Sequence, residues 1–118
     1  MARILIVDDS VDLADMLSIL LKMDNHDVIA ANTKKAMDKV LATFKPDIVL
    51  LDVLLRDGNG REICQKIKET DIEIAVILMS ANPKLIKDHQ KCKADDVIEK
   101  PFDITTVMEK VNGVINKN

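Results

Sequence analysis

The sequence contains no tryptophan, no tyrosine and only two phenylalanines. Without aromatic side chains interleaved among basic ones it offers no surface for stacking bases. Its net charge of −3 likewise leaves no dense basic block, so direct nucleic-acid binding is not expected. Cys64 and Cys92 stand alone, with no CxxC and no His pair at metal-ligand spacing. They read as reduced packing or surface residues. His26 follows Asp24-Asn25 and His89 lies in a charged stretch, so both are expected at the surface. The three glycines and three prolines gather into no linker or low-complexity tract. No apolar run is long enough to span a bilayer, and Met1-Ala2-Arg3 leads directly into a short strand-like run rather than a signal peptide. A cytoplasmic protein is the expectation.

What the chain does contain is a regular alternation. Its 118 residues, 47% apolar and 31% charged, suit one domain over residues 1–118 with a core that needs no disulfide or metal staple. Strand-like runs at Arg3 to Val7, Asp27 to Ala31, Ile48 to Leu51, Ile74 to Met79 and Asp95 to Ile98 are separated by helix-like segments. Strict βα alternation predicts a parallel sheet covered on both faces. The first, third and fourth runs are nearly all Ile, Val and Leu, as strands buried on both sides require, and should be central.

Five helices are expected between and after these strands. Ser10 caps the first, Val11 to Met23, with Leu13, Met16, Leu17, Leu20 and Leu21 at helical spacing. The second, Lys34 to Thr43, turns Ala36, Met37, Val40 and Leu41 inward and ends before Pro46. The third follows Gly58-Asn59-Gly60 with Ile63, Cys64 and Ile67 as its stripe. Asn82 followed by Pro83 is a start signal for the fourth, whose interior beyond Leu85 and Ile86 is poor in apolar residues. The fifth, capped by Asp103, places Ile104, Val107, Met108, Val111 and Ile115 on one face.

Polar residues sit where the apolar runs end: Asp8-Asp9, Asp52, Ser80 and Lys100-Pro101. Open α/β sheets bind ligands outside the carboxyl ends of their strands, so these side chains are candidates for one site. Paired acids are a common way to hold magnesium, which takes oxygen ligands and keeps several waters. A strand-terminal carboxylate such as Asp52 can act as a nucleophile and form an aspartyl-phosphate. Asp52 beside Asp8 and Asp9 would raise the proton affinity of the group unless a cation compensates. Ser80 could donate to a phosphoryl oxygen, and Lys100 would add a compact positive charge. Each residue alone has a plainer reading, as a turn acid, a strand-end serine or a surface lysine; together they point to phosphoryl transfer with a divalent metal.

With Ile4-Leu5-Ile6-Val7-Asp8-Asp9, Asp47-Ile48-Val49-Leu50-Leu51-Asp52 and Gly60 eight residues on, Met79-Ser80-Ala81, and Lys100-Pro101-Phe102, the chain resembles a response regulator receiver domain over essentially its whole length. The resemblance implies a flavodoxin-like (βα)5 three-layer sandwich with a five-stranded parallel sheet in the order 2-1-3-4-5. It implies phosphorylation of Asp52 by a histidine kinase, a phosphotransfer protein or a small phosphodonor. It also implies Mg2+, or Mn2+ in its place, bound through Asp8, Asp9, Asp52 and the backbone carbonyl of Leu54. Ser80 would reorient toward the phosphoryl group, and Lys100 would contact it beside a cis Lys-Pro bond. The expected role is a signalling switch that assists its own phosphorylation, with no output domain in the chain.

Three features depart from the family pattern. Val97 stands where many members carry an aromatic switch residue, so an aromatic rotamer flip cannot be the readout. Leu55-Arg56 replaces a common Met-Pro. Leu54 and Asn82 occupy the positions two beyond Asp52 and Ser80 that tune dephosphorylation, and an apolar Leu54 cannot orient an attacking water, which predicts a long-lived phosphoryl state. Lys84, Lys87 and Lys91 fall at helical spacing on the fourth helix, and the face of that helix with the fifth strand and fifth helix is expected to meet a downstream protein or a second copy of the chain on phosphorylation. Two alternatives are weaker. An aspartate-nucleophile phosphatase would carry DxD where this chain has adjacent acids, and a phosphate-independent pseudo-receiver would not keep Asp52, Ser80 and Lys100 together.

Overall fold

The runs of Ile, Val and Leu form the middle of a five-stranded parallel sheet in a computed structural model that describes residues 1–116. In chain order the elements are β1 (Arg3–Val7), α1 (Val11–Met23), β2 (Asp27–Ala31), α2 (Lys34–Leu41), β3 (Ile48–Asp52), β4 (Leu54–Leu55), β5 (Gly58–Asn59), α3 (Gly60–Thr70), β6 (Ala75–Ser80), β7 (Asp96–Glu99) and α4 (Ile104–Asn116). The sheet order is β2-β1-β3-β6-β7. With the short antiparallel ribbon β4-β5 set aside, this is the expected 2-1-3-4-5 order, and β1, β3 and β6 are the central strands. The ribbon, two residues on each side, was not anticipated; it lies between Asp52 and α3.

The period-two alternation of the strands divides the core into two layers. Leu5, Val7, Val49, Leu51, Val76 and Leu78 pack with Met37 of α2 and with Ile63, Cys64 and Ile67 of α3. Ile4, Ile6, Ile48, Leu50, Ile77 and Met79 pack on the other face with Leu17 and Leu21 of α1 and Val107 and Val111 of α4. Ser10 and Asp103 cap their helices as read from the sequence, accepting from the Leu13 and Thr106 N–H groups at 3.2 and 2.8 Å. Among the described residues no helix is long and apolar enough to cross a membrane.

The expected fourth helix does not form. Asn82 does cap the turn that follows it, accepting from the Lys84 N–H at 3.0 Å. Beyond it, however, the chain makes only two 3-10 turns, Pro83–Leu85 and His89–Cys92, the second closed by Lys93 at φ 65°. Short helices need tertiary packing to survive in water, and from Pro83 to Lys93 only Ile86 and Cys92 are buried. Like charges at helical spacing add repulsion. Lys84, Lys87 and Lys91 are exposed but share no α-helical face, which corrects the expectation of a helical docking surface.

One further residue differs from the sequence reading, and another was not singled out by it. The His26 side chain is 5% exposed, not a surface group, and its Nδ1 accepts from the Ala2 N–H at 3.0 Å. Lys68 is buried at the far end of α3, where its ammonium donates to the carbonyls of Ile72 and Ile74 at 3.0 and 2.9 Å and to Asp95 Oδ2 at 2.9 Å. Asp95 Oδ2 also accepts from the Val76 N–H at 2.8 Å, so this pair joins α3 to the starts of β6 and β7. Truncating Lys68 takes the shared donor from the Ile72 and Ile74 carbonyls and from the partly exposed Asp95 carboxylate. Lys68→Ala is therefore expected to lower the unfolding free energy by about 2 kcal/mol, read from urea unfolding followed by far-UV circular dichroism; a loss indistinguishable from a surface Lys→Ala control would contradict this role.

Candidate functional site

Register determines which polar residues meet. Val7 lies opposite Leu51 and Asp52 opposite Met79, so Asp8, Asp52 and Ser80 emerge on neighbouring strands at the carboxyl edge. Ser80 pairs with Glu99, and the next residue, Lys100, donates its N–H to the Ser80 carbonyl at 2.9 Å. The Lys100-Pro101 peptide is cis, as the resemblance implied.

Asp8 and Asp52 share one cation. Lys100 Nζ lies 2.6 Å from Asp8 Oδ2 and 3.4 Å from Asp52 Oδ2. Asp8 is 1% exposed, and its second oxygen accepts from the Ser10 N–H at 2.9 Å, at the start of α1. The Asn32 side-chain amide donates to the Asp8 carbonyl at 3.0 Å, fixing the turn from the β2 side. Asp52 Oδ1 accepts from the Leu54 N–H at 3.3 Å. Burial, and then the charge of Asp8, push the Asp52 carboxyl above its ordinary value; Lys100 and the Leu54 N–H pull it down but do not win. One ammonium does not neutralise this pair.

Asp9 and Ser80 stand beside this contact rather than in it. Asp9 Oδ1 accepts from the Arg56 N–H at 3.4 Å, reaching across to the loop after β3. Among the described residues no three His, Cys, Asp or Glu side chains are gathered as closely as a metal's ligands. The Ser80 hydroxyl, 2% exposed as a residue, accepts from the Asn82 N–H at 3.0 Å. Asn82 thus serves the turn on both sides, which favours its capping role over a kinetic one.

The loop from Asp52 to α3 is held by the motif residue Gly60 and by two residues, Asp57 and Asn59, to which the sequence reading gave no role. A Cβ on Gly60 would run into the Asp52 carbonyl and stand 2.7 Å from Val53 Cα, so this close approach requires glycine. The Gly60 N–H donates to the Val53 carbonyl at 2.7 Å. Asp57 accepts from the Lys34 and Lys35 N–H groups at 2.8 and 3.0 Å, which holds its carboxyl below the usual range and ties the loop to the start of α2. The Asp57 link spans more than twenty residues and left no local signal. Asn59, as the cap of α3, is a short-range signal that was readable and was missed. The Leu54 side chain is 61% exposed beside Asp52, and Val97 is half-buried in β7.

A carboxyl with a raised folded value binds its proton more tightly in the folded state. Its contribution to stability is complete below the ordinary aspartate value of 3.8 and is lost as pH rises through the raised folded value. At neutral pH the Asp52 charge therefore weakens the fold. Asp52→Asn, which keeps the shape, is expected to raise Tm at pH 7 without metal, with the gain shrinking as pH falls through the raised folded value and gone below 3.8; thermal unfolding against pH checks this, and a lower Tm at pH 7 would refute it.

Residues 4–112 match the response regulator receiver domain family. The chain is 32% identical to the response regulator ArlR of Staphylococcus saprophyticus, over 99% of this chain and 54% of that protein. It spans about half the length of the curated relatives it matches. The BeF3-activated receiver domain of DrrB superposes with a TM-score of 0.87 at 30% identity, covering 98% of each chain. TrrA of Thermotoga maritima, solved in complex with Mg(2+)-BeF, superposes with a TM-score of 0.87 at 25% identity, over 97% of this chain and 99% of that one. On its fold, its carboxyl-edge acids and lysine, and this match, the chain belongs to the response regulator receiver domains, the phosphoacceptor switches of two-component signalling.

Proposed function

We propose that Asp52 is the phosphoacceptor and that a histidine kinase or phosphotransfer protein supplies the phosphoryl group. The observation that carries this reading is the sharing of the single Lys100 ammonium by Asp8 and Asp52, which leaves the carboxyl edge short of positive charge. The donors fit a hard divalent cation: carboxylate oxygens of Asp8 and Asp52, the Asp9 carboxylate through water, and the Leu54 carbonyl. Mg2+, or Mn2+ in its place, would supply charge neutralisation for the phosphoryl oxygens. The Mg(2+)-BeF complex of TrrA supports the same assignment.

The chain's own residues then have distinct tasks. Asp52 attacks phosphorus as the carboxylate, the donor's bond to phosphorus breaks, and an acyl phosphate forms. Lys100, now between the two acids, pairs with the incoming phosphoryl oxygens. Ser80 donates a hydrogen bond from its hydroxyl to a phosphoryl oxygen, which draws the 80–83 loop inward through its contact with Asn82. Exposed Val11, Met16, Ile19 and Met23 on α1, the helix that begins just past Asp8-Asp9, offer an apolar surface for a donor's helix. The face formed by residues 82–93, β7 and α4 carries the altered contacts to a downstream protein or to a second copy of the chain.

Radiolabel from acetyl phosphate with Mg2+ should appear on wild-type protein and vanish in Asp52→Asn and in chelator; label that persists in both would remove the assignment. Exposed Leu54 keeps a hydrolytic water from being oriented, so Leu54→Glu should shorten the half-life of the phosphorylated form by about tenfold, measured as loss of label after the donor is removed. A half-life unchanged or longer in that variant would count against the role given to Leu54.

A further inference from the structure

The only two cysteines of the chain, 28 positions apart in sequence, meet in the core between α3 and the turn that replaces the expected fourth helix. The Cys64 thiol donates to the Cys92 carbonyl at 3.3 Å, and the Cys92 thiol donates to the His89 carbonyl at 3.2 Å. Cys64 is fully buried and Cys92 is 3% exposed. Neither touches the carboxyl-edge acids in any contact described above, and neither has a part in phosphoryl transfer. We propose that Cys64 and Cys92 are a redox pair, which a disulfide oxidant such as oxidised glutathione closes into an intramolecular bond tethering α3 to the His89–Cys92 turn.

The two partners differ in how they can be reached. Cys64 lies on the buried face of an eleven-residue α-helix. Cys92 lies in a four-residue 3-10 turn closed by the left-handed Lys93. The segment is held to α3 by few groups: Ile86 in the core, the Arg61 to Asp88 ion pair at 2.9 Å, and the cysteine contact itself. Units with so few buried contacts open first. Opening carries Cys92 outward and leaves Cys64 in place. Burial, and then the neighbouring Cys92, push the Cys64 thiol up to about 12, which protects it while the segment is closed.

The chemistry balances with one equivalent of oxidant. The exposed Cys92, as thiolate, attacks one sulfur of glutathione disulfide; the glutathione S–S bond breaks, and one glutathione leaves as its thiol with the Cys92 proton. As the segment recloses, Cys64 attacks the Cys92 sulfur of the mixed disulfide, and its proton leaves on the second glutathione. Two cysteine thiols are oxidised, and one glutathione disulfide is reduced to two thiols. The product closes a loop that contains β6 and the 81–91 segment, and so restricts the loop that holds Ser80 and Asn82. In a reducing compartment such a bond is transient and sensing rather than structural.

The test is incubation of folded, reduced protein with oxidised glutathione, followed by denaturation, alkylation with N-ethylmaleimide, and intact and peptide mass spectrometry. The expected product has lost two hydrogens, takes no maleimide, and yields a peptide crosslink between Cys64 and Cys92. Its unfolding equilibrium constant should fall on the order of a hundredfold against the reduced form, as closing a loop of this length requires. Hydrogen exchange over residues 82–93 should slow in the oxidised wild type and stay unchanged in oxidant-treated Cys64→Ser. Free thiols, stable glutathione adducts, or crosslinks only between chains would overturn the proposal. Asp52→Asn should form the bond as wild type does, so this failure is distinct from failure of the phosphoacceptor reading.

Discussion

Two carboxylates at the ends of adjacent parallel strands, with one ammonium between them, set the conditions for the whole carboxyl edge. Strand pairing brings Asp8 and Asp52 out on neighbouring strands, whose main chains run roughly 5 Å apart. Neither acid can move away without breaking the pairing of β1 with β3. Lys100 is delivered by β7, at the far side of β6, and reaches back to both. Its short contact with Asp8 and longer one with Asp52 leave the second acid the less compensated of the two. The fold thus holds one carboxylate closely paired and leaves its neighbour short of compensating charge.

The loop that follows Asp52 turns this electrostatic arrangement into a defined shape. Gly60 lets the start of α3 lie against the Asp52 carbonyl, and the β4-β5 ribbon brings Leu54 and Arg56 across the edge toward Asp9. Asp57 anchors the other side of the loop to the first turn of α2. The course of the chain past Asp52 therefore depends on α2 and α3 as much as on β3.

Between β6 and β7 the chain behaves differently. The segment after Ser80 has a cap and a turn but almost no buried apolar surface, so it forms short 3-10 turns in place of a helix. It is joined to the reacting edge through Ser80 and Asn82, and to the core through Ile86 and Cys92. Weak packing next to a site whose charge changes is what a switch requires: a modest bias at Ser80 can move the segment without disturbing the sheet. In the proposed switch, with Val97 in place of an aromatic ring, this segment is the element that would carry the change outward.

The central strands, the helices around them and the four motif residues Asp8, Asp52, Ser80 and Lys100 were legible because each signal is local: apolar runs, helical spacing, caps and residue type at a strand end. Resemblance to a known family supplied the strand order, since periodicity alone does not choose between parallel arrangements. The absent fourth helix was half legible, in a run with Leu85 and Ile86 but little else to bury, while a good start signal at Asn82-Pro83 argued the other way. The pairing of buried Lys68 with Asp95, the Asp57 anchor, the buried His26 side chain and the meeting of Cys64 with Cys92 had no local trace. Each depends on residues more than twenty positions apart being brought together by sheet register. Apolar runs, caps and residue types along the chain say which segments form strands and helices and which chemistry stands at their ends; which charges share a cation follows from folding, because pairing across parallel strands is a property of neighbours in space, not along the chain.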